Sequence, residues 1–188
     1  MTRIKFITIL VLSVLCTFSA IAETKVEKAE RKHIEKIEKA KEDSINYKMA
    51  KKSMQKMSFV IMADEIGNQI QNIFVDDNMN FIVCSPNKAM IQIVPQFAGF
   101  NGLNLKGNLT GDSCETNKKG DVFTTLDIFS SEITARVFIT LYHDSNEVRA
   151  VISPSFSRGK IIFKGKMFPL KVFPELIAPL YEYSNLFR

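Results

Sequence analysis

The sequence predicts an α+β fold, with an N-terminal helix followed by a mostly antiparallel sheet or small barrel of seven to eight strands. Two observations carry this prediction. Residues 23–56 contain no Gly or Pro and are rich in Glu, Lys and Ala, which favours a helix. From Met57 onward the apolar residues recur with a period of 2, and turn residues separate short segments, as is typical of a β-rich domain.

The predicted helix is a charged arm over residues 23–56 that carries eleven basic and seven acidic side chains. A loose apolar stripe at helical spacing predicts that one edge of this helix docks against the rest of the chain. The stripe consists of Val26, Ile34, Ile37, Ile45, Met49 and Met57. Two interpretations stay open, namely a basic surface in peripheral contact with anionic lipid or cell-wall polymer, and a solvated spacer.

Residues 57–167 form the predicted β-rich domain, which is long enough for one hydrophobic core. In one segment, Leu103, Leu105 and Leu109 alternate with polar residues, so one face of that strand is expected to be buried. The predicted strands cover residues 58–64, 78–84, 88–94, 103–109, 122–128, 133–141, 148–152 and 160–166, and the first of these segments could instead be the helix end. Pro86 lies between the second and third of them and predicts a tight hairpin, because its ring presets one turn dihedral.

Residues 1–22 are predicted to be a cleavable signal peptide. Arg3 and Lys5 give a short positive region, and the apolar run over 7–15 is shorter than the ~20 residues that span a bilayer as a helix. The cleavage site is predicted from the small residues Ala20 and Ala22 and the charged Glu23. We therefore expect an exported protein that is periplasmic or associated with the cell envelope.

Acylation of Cys16 is the competing interpretation of the same segment, and it would make the protein a lipoprotein. The large Leu15 directly before this cysteine argues against lipidation. An uncleaved anchor is disfavoured by the short apolar run.

The net charge decreases when the signal peptide is removed. Loss of Arg3 and Lys5 leaves 23 basic and 20 acidic residues, a net charge of +3, and residues 57–188 carry twelve basic against thirteen acidic side chains. A near-neutral β-rich part in an exported protein argues against a nucleic-acid partner.

Catalytic residue types are scarce in this sequence. It has two histidines, His33 and His143, and it lacks a phosphate-binding Gly-rich loop and a G-x-S-x-G serine motif. Cys84 and His143 are a conceivable nucleophile pair. An acid and base pair could come from Asp76, Asp77, Asp112, Glu115, Asp127 and Glu132, but nothing assigns two of them opposite environments. We therefore expect no catalytic, cofactor-binding or metal-binding residues.

Cys84 and Cys114 are the two cysteines that remain after cleavage, and they could form a disulfide in an oxidising compartment if the strands bring them within bonding range. The strand register argues against pairing. Cys114 shares the parity of Asn104, Lys106 and Asn108, which places it on the outer face.

The C-terminal extension, residues 168–188, is apolar and interrupted by Pro169, Pro174 and Pro179, which favours an extended segment over a long helix. It either covers an apolar face of the sheet or docks a partner. The docking anchors would be Phe168, Phe173, Leu176, Tyr181 and Phe187.

The β-rich part resembles a family of small exported or lipid-anchored bacterial proteins that carry a domain of unknown function and occur mainly in Gram-negative gut commensals. The resemblance covers about residues 57–167. It depends on the order of the segments 80–83, 89–93, 95–99 and 103–110, and on a closing segment that contains 158–161 and Gly165. It implies an exported, mostly antiparallel domain and brings no established activity, ligand or catalytic residue.

These observations together predict an exported, non-catalytic envelope domain that binds an unknown protein, glycan or lipid. Such a domain should present a concave apolar pocket or patch. The alternatives are a structural or assembly accessory of the cell envelope and, third, a carboxylate-dependent hydrolase.

Overall fold

The computed structural model describes residues 25–68, 70–75, 79–94, 102–110, 114–157 and 159–172. The predicted signal peptide, with Ala20, Ala22 and Glu23, lies outside these ranges. Within these ranges, the helix α1 spans Lys25–Gln55. The chain divides into two units, Met1–Lys39 and Ala40–Arg188, with the boundary inside α1. In the parts that the structure describes, no helix is long and apolar enough to cross a membrane.

Ten strands follow α1. They are β1 (Phe59–Gly67), β2 (Asn72–Phe74), β3 (Phe81–Ser85), β4 (Lys88–Ile93), β5 (Leu103–Thr110), β6 (Cys114–Thr116), β7 (Val122–Phe129), β8 (Thr134–Leu141), β9 (Glu147–Pro154) and β10 (Ile161–Pro169). One 3₁₀ turn, Leu170–Val172, follows β10.

Eight of these strands close into an antiparallel barrel in the order β1, β3, β4, β5, β7, β8, β9, β10, with β10 returning to β1. Two short strands extend it, since β2 pairs with β1 and β6 pairs with β7. The predicted α+β fold is confirmed, and the sheet takes the closed form. All eight predicted segments are barrel strands, whereas three-residue β2 and β6 were not predicted because they are too short to show an alternating pattern.

The barrel interior is a packed hydrophobic core built by alternate residues of each strand. On β7 and β8, Leu126 lies opposite Val137 and both are fully buried. The largest inward side chains include Phe59 of β1 and Phe163 of β10. Interior positions are filled by side chains, as is typical of eight-stranded barrels.

The second half of α1 packs onto the barrel through Tyr47, Ala50 and Met54, which join the interior core. Their spacing of three and four residues places them on one helix face. The predicted docking stripe is wrong for Ile45 and Met49, which are 57% and 44% exposed, whereas Met57 just after the helix is partly buried against the core. Both helix faces carry apolar side chains, so residue type alone could not show which face is buried. The fit of Tyr47, Ala50 and Met54 to the barrel end determines it.

Tyr47 connects α1 to two turns at that barrel end. Its hydroxyl donates to the Gly120 carbonyl, and its ring lies edge-on to His143 with 5.3 Å between centroids. Asp121 joins the same two turns by accepting hydrogen bonds from the His143 amide and the Asn117 side chain, each at 3.0 Å. These bonds lower the pKa of the Asp121 carboxyl.

The barrel closes through the β1–β10 ladder, which runs from the Phe59–Pro169 pair to the Gly67–Ile162 pair. A β-bulge interrupts the ladder between Ala63 and Glu65, opposite Gly165. A Cβ atom at Gly165 would lie 1.9 Å from the Met62 carbonyl oxygen, far inside van der Waals contact. Glycine is therefore required here for the close approach of the two backbones.

Cys84 and Cys114 are free thiols in the structure. Cys84 is buried in the barrel core on β3, and Cys114 is half-buried on β6 and packs against the same core. The outer-face position predicted for Cys114 is therefore wrong, because the parity of β5 does not continue into the separate strand β6. The two strands are not neighbours, since β4 and β5 lie between β3 and β7, the partner of β6.

We expect Gly165→Ala to lower the free energy of unfolding by roughly 3 kcal/mol, because the added methyl group forces the β1 backbone away. The midpoint of thermal unfolding, followed by circular dichroism, measures the loss. Gly159→Ala is the matched control, because its new Cβ would lie 3.4 Å from Ser157 Oγ in an exposed segment. Equal melting temperatures for the two variants would contradict the close approach at Gly165.

The two thiols should differ in reactivity toward iodoacetamide. Burial raises the pKa of Cys84 strongly and that of Cys114 less, and Lys51 opposes the second shift. Because the thiolate is the nucleophile, the Cys114 peptide should be labelled in native protein and the Cys84 peptide only after unfolding in urea. Peptide mass spectrometry without reductant reads both sites. A Cys84–Cys114 crosslinked peptide would contradict the free-thiol structure.

Candidate functional site

A groove lies where the end of α1 meets the residues that follow β10. The helix ends in a Schellman motif, in which the amides of Met57 and Ser58 donate to the carbonyls of Met54 and Ser53. Met57 occupies the left-handed position of this motif with φ of +50°. Leu170 then donates from its amide to the Ser58 carbonyl at 3.1 Å. This bond fixes the 3₁₀ turn beside the helix end.

The groove encloses about 380 Å³ and belongs entirely to the unit Ala40–Arg188. The described residues that line it are Met49, Lys52, Ser53, Lys56, Ser58, Pro169, Leu170 and Lys171. Its apolar surface comes from Met49, Pro169 and Leu170. Its volume lies within the range of ordinary small-ligand pockets.

Three lysines surround this apolar surface. Lys52 and Lys56 share the exposed helix face with Met49, because the spacing of three and seven residues returns to the same side. Lys171 reaches the groove from the 3₁₀ turn, and all three lysines are exposed. Lys52 also lies in the last turn of α1, where a cation interacts favourably with the helix dipole.

The lysines have no carboxylate partner among the described residues. The ion pairs of the barrel lie elsewhere, as between Lys164 and Glu65, and no acidic side chain belongs to the described groove lining. Within the described part of the chain, each ammonium group therefore keeps its three donors for solvent or a ligand. The groove combines an apolar surface with three positive charges that no described acidic side chain pairs.

Phe168, a predicted docking anchor, packs on the outside of the barrel beside the groove. It is half-buried and contacts a cluster formed by Val60, Met62, Phe81 and Val83, which Leu170 also covers. This placement covers an apolar outer face of the sheet, as one of the two interpretations of the extension requires. The other predicted anchors, Phe173, Leu176, Tyr181 and Phe187, lie outside the described residues.

The structure does not assemble Cys84 and His143 into a nucleophile pair. Cys84 lies in the core, where burial raises the pKa of its thiol and disfavours the thiolate. His143 packs against Tyr47, and its Nδ1 lies 2.9 Å from Asp144 Oδ2. His33 is exposed on α1.

The predicted carboxylates are not gathered into one site by the described part of the fold. Asp127 binds the Arg136 guanidinium through both carboxylate oxygens, at 2.7 and 3.0 Å, and this contact raises the pKa of Arg136. Glu115 and Glu132 are exposed. Asp76, Asp77 and Asp112 lie outside the described residues. Among the described residues, no group of three or more His, Cys, Asp or Glu side chains could hold a metal ion.

Sequence reasoning identified the basic helix and missed the groove. The shared helix face of Met49, Lys52 and Lys56 could have been predicted from the sequence, because it follows from helical spacing alone. Lys171 carries no comparable signal, since it is 115 positions from Lys56 and joins it only after barrel closure.

Comparisons with known proteins confirm the resemblance. The family model described as "Domain of unknown function (DUF4251)" matches residues 41–167. A crystal structure of a DUF4251 family protein from Bacteroides eggerthii DSM 20697 superposes with a TM-score of 0.67 and 22% sequence identity, covering 76% of this chain and 99% of that one. This similarity shows the fold. No curated protein matches this chain. Because the family model covers more than half of the sequence, the chain belongs to the DUF4251 family of domains of unknown function.

Proposed function

We propose that this protein is an exported, non-catalytic binding domain of the bacterial cell envelope and that the lysine groove is its binding surface. The observation that carries the proposal is the set of three exposed lysines, unpaired within the described residues, around an apolar surface. An apolar concavity with a few converging polar groups is the usual form of a ligand site.

The non-catalytic part of the proposal is supported by the roles that the candidate catalytic side chains already have. Cys84 fills the core, and Asp127 is held by both of its oxygens on Arg136. His143 contributes to the contact between Tyr47 and the barrel end. These side chains contribute to folding and do not converge on the groove.

The export part is supported by the sequence of residues 1–23. The positive residues Arg3 and Lys5, the apolar run over 7–15, and Ala20 and Ala22 before Glu23 occur in the order that signal peptidase substrates show. An envelope location would give the groove access to lipid headgroups, glycans and exported proteins.

A photo-crosslinking side chain at Met49, introduced in the native host, tests the proposal. We expect the protein in the envelope fraction, cleaved before Glu23, with an adduct at position 49 that is lost in the variant K52Q/K56Q/K171Q. The same crosslinker at Phe156, which is 58% exposed on a β9–β10 connection, is the matched control. Uncleaved cytoplasmic protein, or equal adducts at both positions, would contradict the proposed function.

A further inference from the structure

We propose that the groove binds the phosphate headgroup of an anionic phospholipid at a membrane surface, with Ile45 and Met49 entering the headgroup region beside it. The inference rests on the proposed function and names the ligand class of the same site. It is carried by the side chains that α1 leaves exposed and by the distribution of charge around them.

Barrel packing fixes which face of α1 is available. Tyr47, Ala50 and Met54 are buried against the core, so the helix cannot rotate to hide its other side. Ile45 and Met49 lie on that other side, and both are about half exposed. An immobilised helix that presents apolar side chains to solvent resembles the membrane-facing side of an interfacial helix.

The cations continue the same helix face. Ile45, Met49, Lys52 and Lys56 follow spacings of four, three and four residues, which keeps them on one side. Residues 44–63 contain four lysines and no acidic residue, and the exposed Glu42 lies about one turn before Ile45 on the same helix face. Lys171 adds a positive charge from the 3₁₀ turn. Apolar side chains followed by lysines without a carboxylate partner in the described ranges are complementary to an anionic lipid surface.

The chemistry of the groove favours a phosphate over a glycan or an acidic peptide. Its described lining contains no aromatic ring, side-chain amide or carboxylate, which are groups that read sugar hydroxyls. Lysine ammonium groups are compact point charges suited to phosphate oxygens, whereas peptide carboxylates are more often held by the fork of arginine. The apolar surface formed by Met49, Pro169 and Leu170 would contact the glycerol and first methylene groups of the lipid.

Sedimentation with lipid vesicles tests the inference. The protein is purified from its native host, in whatever processed form the host cells contain. Vesicles of 30% phosphatidylglycerol in phosphatidylcholine should bind the protein, and phosphatidylcholine vesicles should bind it far more weakly. K52Q/K56Q/K171Q should lower the partition coefficient on anionic vesicles about 100-fold, at about fivefold for each lysine. I45Q/M49Q should lower it about tenfold, because exposed apolar side chains no longer enter the interface.

The matched control is K118Q/K119Q/K160Q, which removes the same charge from three exposed lysines outside the groove and should change binding less than threefold. All variants alter exposed side chains, and their melting temperatures verify folding. A salt series on unaltered protein adds a readout without substitutions, since binding to anionic vesicles should weaken as salt rises. Soluble glycerol phosphate at millimolar concentration should not displace the vesicles.

Three results would overturn the lipid inference. They are equal losses of vesicle binding for the two triple variants, equal binding to both vesicle types, and an acidic peptide that displaces the vesicles while I45Q/M49Q binds normally.

The lipid inference and the proposed function can fail separately. A Met49 adduct with an envelope component but no vesicle binding refutes the lipid headgroup and leaves the binding domain, whereas unexported protein that binds anionic vesicles through the groove refutes the export.

Discussion

The β1–β10 ladder is the interaction on which the rest of this structure depends. It joins the first and last barrel strands, with Phe59 and Pro169 paired across more than one hundred residues, and it leaves the barrel without an open edge there. The bulge beside Ala63 and the missing side chain of Gly165 allow the two backbones to approach. Because α1 directly precedes β1 and the 3₁₀ turn directly follows β10, closure also determines which residues meet outside the barrel.

The position of α1 follows from that closure. Tyr47, Ala50 and Met54 cover the barrel end at which Gly120 and His143 lie, and the Schellman motif then turns the chain into β1. Burial of one helix face fixes the opposite face in solvent, so the exposed positions are a consequence of core packing. The groove therefore requires no additional helix or strand. It forms between the end of α1 and the end of β10, which barrel closure already brings together.

Local pattern predicted the parts of the fold that local physics determines. Alternation such as Leu103, Leu105 and Leu109 marks a strand with one buried face, whereas the continuous apolar run after Ser58 left a strand and a helix end both open. Local pattern could not choose between an open sheet and a barrel, because the β1–β10 pairing is long-range. It also could not choose between the Ile45 stripe and the Tyr47 stripe, or bring Lys171 to the helix, since both depend on tertiary contacts.

The groove lysines have no acidic partner among the residues that the structure describes, and this arrangement supports the proposed ligand. Lys52 and Lys56 are like charges at i,i+4, an arrangement that destabilises a helix by about 0.2–0.5 kcal/mol, although the helix dipole offsets part of this. The dipole does not account for Lys171, which follows β10. On the barrel, the chain pairs Lys164 with Glu65 and Arg136 with Asp127, whereas residues 44–63 carry no acid at all. Local rules broken without a structural gain are expected where a protein binds something else.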